Sequence, residues 1–156
     1  MTQTEAICYV AILENWRALK FVKEQTSELC LLAVIINGNA LLYVRTQTDE
    51  ITLTAVMRTS AAIRLASYQT EEMCEMVIKK DPRNIKHTVL QTEKLCILAV
   101  TLNCKVLKFI HNQTEAICLI VVKQDGMMLE FVDEQTFEIY EAAIKQNPNS
   151  EIFCQL

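Results

Sequence analysis

The chain has 156 residues, of which 51% are hydrophobic and 22% charged, a composition that excludes the disordered and collagen-like classes. Only two Gly and two Pro are present, too few turn formers for a β-rich chain. A formal net charge of −4 gives no overall attraction to nucleic acid or to an anionic membrane surface.

Gln-Thr recurs at Gln3, Gln25, Gln47, Gln69, Gln91, Gln113 and Gln135, each 22 residues after the last. Copies of this unit fill the chain after Met1-Thr2 and define a single repeat domain over 1–156. A fixed period of this length marks a solenoid, whose units bury their apolar faces by stacking on neighbours. Positions below are counted from the Gln as 1.

Within a unit, Thr at position 2 is suited to cap a helix, its hydroxyl taking an otherwise unpaired backbone N–H. Acidic residues follow in the first turn (Glu5, Asp49, Glu71, Glu93, Glu115), where the helix dipole favours negative charge. Apolar residues at 5, 6, 9 and 10 make one helical stripe, so a first helix is expected over positions 3–12. Position 13 is Asn, Asp or Thr throughout, and Pro82 and Pro148 follow two of these residues, as at the start of a second helix. Gly38 and Gly126 occupy the same slot and suit a sharp reversal. The second helix carries apolar residues at 17, 19 and 20, with Phe21, Tyr43, Phe109, Phe131 and Phe153 at 19 expected to wedge between layers. At about two turns it depends on stacking for its stability.

The expected fold is therefore an all-α solenoid of seven helical hairpins. A leucine-rich repeat has a similar period, and positions 5, 8, 10 and 13 spell its motif in Leu29, Leu32, Val34 and Asn37. Against it, position 9 is always Ala or Val where a strand should show a polar residue. The Gln at position 1 is expected to bond backbone of the adjacent repeat, forming a ladder. Cys8, Cys30, Cys74, Cys96 and Cys118 share position 6 with Thr52 and Tyr140, so the role there is that of a small buried hydrophobe. Helices stack about 8–10 Å apart, too far for disulfides along that column. Reduced thiols in this number fit a reducing compartment.

The unit from Gln25 to Val44 resembles the QT-x-x-[IL]-C-x-x-A-V-x-x-N-G-x-A-L-x-[FY]-V repeats abundant in giant DNA viruses of amoebae, and is similar to a repeat in some bacterial effectors. The resemblance covers the whole chain. Copies 3 and 4 depart most, with Thr59-Ser60 and Asp81-Pro82 at the turn. It implies a viral protein in a host cytoplasm and brings no catalytic residues with it.

Chemistry-bearing motifs are missing from the sequence. His87 and His111 have no second ligand at metal spacing, and there is no Gly-rich phosphate loop or G-x-S-x-G turn. No catalytic residue, metal or cofactor is expected. There is no signal segment at the start and no run of the ~18 apolar residues that span a bilayer, so a cytoplasmic location is expected.

Two surfaces are candidates for a protein partner. Positions 15 and 18 collect a basic ridge that includes Arg64, Arg83, Lys86, Lys105 and Lys108. It reads either as a solvated face or as a surface for an acidic segment or, less favourably, a nucleic-acid backbone. At positions 11 and 12, Leu13, Ile35, Ile36 and Leu102 stand where later copies are polar. They mark a binding patch or cover a neighbouring loop. The first copy alone has Tyr9 and Trp16, and a dimer burying both is expected through the N-terminal repeat. The functional expectation is a non-catalytic protein-interaction scaffold, with nucleic-acid binding or self-assembly as alternatives.

Overall fold

The computed structural model describes residues 4–155. Among them α-helices and 3₁₀ helices alternate along the chain and no strand occurs. The fold is an all-α helical repeat, and the leucine-rich alternative fails because its strands are absent. The α-helices are α1 (Glu5–Glu14), α2 (Ser27–Ile36), α3 (Asp49–Arg58), α4 (Glu71–Lys80), α5 (Glu93–Leu102), α6 (Glu115–Gln124) and α7 (Phe137–Gln146). Each covers positions 3–12 of its repeat. The 3₁₀ helices are h1 (Trp16–Phe21), h2 (Gly38–Tyr43), h3 (Ser60–Leu65), h4 (Pro82–His87), h5 (Cys104–Phe109), h6 (Gly126–Phe131) and h7 (Pro148–Phe153).

Most caps form as their residue types require, Thr59 and Thr114 being the exceptions without a side-chain cap bond. Thr26 Oγ1 accepts from Leu29 N–H at 3.4 Å, and Thr48 from Ile51 N–H at 3.3 Å. Asn15 closes α1 with its own N–H, 2.9 Å from Ala11 O, and opens h1 by accepting from Arg17 N–H at 3.0 Å. One residue thus ends one helix and starts the next.

The second helix of each unit is 3₁₀, and the expected burial at position 19 holds only in part: Tyr43, Phe109 and Phe153 are half-buried, Tyr43 against the core, while Phe21 and Phe131 are exposed. At three residues per turn, side chains three apart eclipse. Positions 17 and 20 share one edge and are buried, as in Leu19 and Val22. Positions 16 and 19 share a second edge, but 19 lies a turn further on, at the helix end. Position 16 is buried (Ala40, Val106, Met128), whereas Phe21 is 67% exposed and Phe131 is also exposed. Positions 15 and 18 fall on the third edge, away from the core.

The chain divides into two compact units, one ending at Met73 and one beginning at Cys74. In the first, α1 packs on α2 and α2 on α3, with h1 and h2 lying against the helices that follow them. Its core includes Ile12, Leu19, Leu29, Ala33, Leu41, Ile51 and Ala55. In the second, α5, α6 and α7 stack in the same manner over h4, h5 and h6, around Leu95, Val100, Leu107, Ile117 and Leu129.

The position-1 glutamines tie neighbouring repeats together. Gln25 Nε2 donates to Leu19 O at 3.1 Å in the repeat before and to Tyr43 O at 2.9 Å in its own. Its Oε1 accepts from Arg45 N–H at 3.0 Å. Gln91 and Gln135 repeat the three-bond pattern in the second unit. Gln3 lies outside the described residues. A second ladder joins helix N-termini: Thr26 donates to Glu5 at 3.5 Å, Thr114 to Glu93 at 2.9 Å and Thr136 to Glu115 at 2.7 Å. Acidic first-turn residues therefore serve the adjacent repeat as well as the helix dipole.

Gly38 and Gly126 have no positive φ, so the expected reversal does not explain them. A Cβ at Gly38 would overlap Ala55 O, and one at Gly126 would overlap Ala143 O. These glycines admit the end of the next α-helix.

Candidate interaction surface

Positions 5, 6, 9 and 10 of each α-helix face the core, so positions 4, 7 and 11 share the opposite face by the i, i+3, i+7 rule. In most of the repeats that face is polar or mixed. Glu75 and Lys79 carry it in α4, Glu141 and Lys145 in α7. In α1, α2 and α3 its positions 7 and 11 are apolar: Tyr9 and Leu13, Leu31 and Ile35, Leu53 and Met57. Leu31 is half-buried; the other five are 40–59% exposed. The apolar stripe of a surface helix normally faces the core, and here a second, outer pair of apolar positions recurs on three adjacent helices.

Successive repeats stack in register, as the Thr26–Glu5 bond between helix N-termini and the Arg45 Nη1 bond to Lys23 O at 2.6 Å show. Position 7 residues therefore form one row and position 11 residues another. Four residues of helical rise separate the rows by about 6 Å, and two inter-helix spacings make each row about 20 Å long.

Ile35 stands in this strip, while Ile36 is half-buried and packs on the core. Leu102 is exposed on α5 in the second unit. Tyr9 also belongs to the strip. Trp16 does not share its exposure: it is half-buried, its ring centroid 5.9 Å from that of Tyr43, with the Arg17 guanidinium 4.3 Å above it. The position 7 row and Met57 were missed in the sequence. The signal was present, because apolar residues occupy 7 and 11 together in copies 1–3.

The basic ridge follows the exposed edge of the 3₁₀ helices. Arg64 belongs to the first unit; Arg83, Lys86, Lys105 and Lys108 belong to the second, and all five are exposed. Arg83 is engaged by Asp81 through paired contacts of 3.0 and 2.9 Å. That pairing holds the Asp81 carboxyl below its usual range. Lys86 Nζ lies 5.7 Å and Lys108 Nζ 5.2 Å from the Phe109 ring centroid, so two ammonium groups attend this half-buried ring. Elsewhere on the second unit, Glu75 bridges Lys79 at 2.6 Å and Lys94 at 3.1 Å.

At the other end of α1's circumference, Ile7 is 60% exposed and Val10 is exposed beside it. In α2 and α3 the residues equivalent to Ile7, Leu29 and Ile51, are buried. Ala6, Ile7, Val10, Ala11 and Glu14 line a shallow apolar recess there. Among the described residues no three His, Cys, Asp or Glu gather as a metal site, and no helix is long and apolar enough to cross a membrane.

No family model matches the chain, and neither a curated protein nor a solved structure is found similar to it.

Proposed function

We propose that the chain is a non-catalytic protein-interaction scaffold whose partner surface is the outer face of α1–α3. The observation that carries this reading is the double row Tyr9, Leu31, Leu53 and Leu13, Ile35, Met57, apolar throughout and exposed at all but Leu31, where α4 and α7 carry Glu and Lys and α5 and α6 are mixed. The repeat does not need apolar residues there, since α4 and α7 fold with Glu and Lys in those places. Exposed apolar side chains gathered together mark interaction sites on soluble proteins. The resemblance to viral repeats supports a host cytoplasm as the setting.

The test is a photo-reactive phenylalanine analogue placed singly at Leu13, Ile35 or Met57, and as controls at Thr101 or Lys123, in cells that make the protein. Discrete adducts with another protein, confined to the first three positions, are expected. Equal adducts at both sets of positions refute the reading.

Self-association has a specific observation in its favour, the exposed Ile7 and Val10 on a face that α2 and α3 bury. A dimer through the N-terminal repeat would cover them with Tyr9, and Trp16 would contribute only its remaining exposed edge. Sedimentation showing a concentration-independent monomer removes this reading. The nucleic-acid reading is the weaker one, because Asp81 already engages Arg83 and lysines attend the Phe109 ring.

A further inference from the structure

We infer that the strip on α1–α3 takes a single basic amphipathic helix of about 13 residues, lying across the three helices; this inference rests on the scaffold reading above. The length follows from geometry: a row about 20 Å long matches about 13 residues at 1.5 Å rise. The width follows likewise, since rows about 6 Å apart lie beneath a cylinder about 10 Å across. Two folded copies meeting face to face would be expected to bury about 800 Å² each, more than two short rows of three side chains offer.

The sign of the partner's charge is set by the rim. Positions 3 and 4 lie one turn N-terminal to the position 7 row. They hold Glu5, Glu28, Asp49 and Glu50, all exposed. No Lys or Arg occupies those two positions in α1, α2 or α3. Beyond the position 11 row the residues are Glu14, Ile36 and Arg58, which adds no net positive charge. Apart from Arg58, the cations of this unit stand elsewhere, Lys23 following h1 at the junction of two repeats. Arg17, Lys20 and Arg64 are on the 3₁₀ edge, and the Arg45 guanidinium is committed to Lys23 O and Val22 O. An apolar strip with one acidic border selects a helix whose apolar face is flanked by Lys or Arg.

The experiment is selection of the intact chain against a displayed library of 14-residue helices with Leu at helical spacing and Lys, Glu or Gln randomised on the flanks. Enriched helices are then measured against the native chain and an Ile35→Lys, Met57→Lys variant by fluorescence anisotropy. Both changes fall on exposed positions, and an unchanged melting temperature checks that the variant folds. The expected result is enrichment of Lys-flanked helices whose affinity falls at least tenfold on the variant. Enrichment of Glu-flanked or charge-indifferent helices overturns the basic assignment, and leaves the scaffold reading if photo-adducts still map to the strip. No enrichment at all overturns the helical partner, again independently of the adducts. Binding that survives the two substitutions overturns the placement.

Discussion

The Nε2 of Gln25 lies 2.9 Å from the carbonyl oxygen of Tyr43, the far end of its own repeat, while also reaching Leu19 O at 3.1 Å in the repeat before. With the Arg45 N–H on its Oε1, the amide joins three backbone groups, of which Leu19 O also accepts from Val22 N–H at the end of h1. Replacing Gln25 by Leu removes all three bonds and leaves the half-buried Tyr43 O without this partner. At about 1 kcal/mol for each lost bond, the cost should be about 2–4 kcal/mol in denaturant unfolding. Glu50→Gln, at an exposed site, should change stability by no more than about 0.5 kcal/mol. Equal effects of the two would show that the ladder is ornamental.

Much of this architecture was legible beforehand, because the period of 22 multiplies every local signal. Thr at 2 and Asn, Asp or Thr at 13 bracket the α-helices, and the helix bounds fall at those residues. The type of the second helix was not legible. Six residues with apolar positions at 17, 19 and 20 fit an α-turn or a 3₁₀ turn equally well, and only the shorter pitch exposes Phe21. The glycines misled for a related reason. Gly38 looked like a reversal because sequence shows the residue but not Ala55 O, 17 positions later, that presses on it. The strip was half legible, since position 11 stood out and the position 7 row passed for ordinary helix interior.

Gly38→Ala follows from that close approach. The backbone at Gly38 is within reach of any residue, so the cost is steric alone. Both obstacles, Ala55 O and Thr59 Cβ, belong to the end of α3, and one is backbone. Overpacking of this kind costs about 1–3 kcal/mol. The expected outcome is a lower denaturant midpoint with an unchanged slope. A neutral result would mean that α3 slides without penalty.

Thr52 is the one position 6 residue whose polar atom is stranded. Its Oγ1 is buried and makes no hydrogen bond of good geometry, although the Tyr68 hydroxyl, which donates to Asp49, lies near enough to interact with it. At the same place in α2 the Cys30 thiol donates to Gln25 Oε1 at 3.8 Å. Thr52→Val keeps the shape and removes the hydroxyl, so stability should rise by about 1 kcal/mol. A loss of stability would reveal a partner for that hydroxyl, such as an ordered water.

Cys118 supplies a pH test. Burial, and then the negative charges of Asp133 and Glu115, push its thiol up to about 11 from 9.0. The thiol also donates to Gln113 Oε1 at 3.8 Å, a contact that the thiolate loses. The folded state holds this proton to higher pH than the unfolded chain does. Its contribution is therefore complete below about pH 9 and is lost as pH rises through about 11. Cys30 and Cys96 shift upward for the same first reason, burial. Unfolding free energies of the native chain and Cys118→Ala, compared at about pH 8 and about pH 10.5, should converge at the higher pH. In parallel, alkylation at pH near 8 should label exposed Cys154 well before Cys118. A difference between native and variant that stays constant with pH would place the Cys118 thiol in a far wetter environment than its burial between α6 and the Gln113 amide implies.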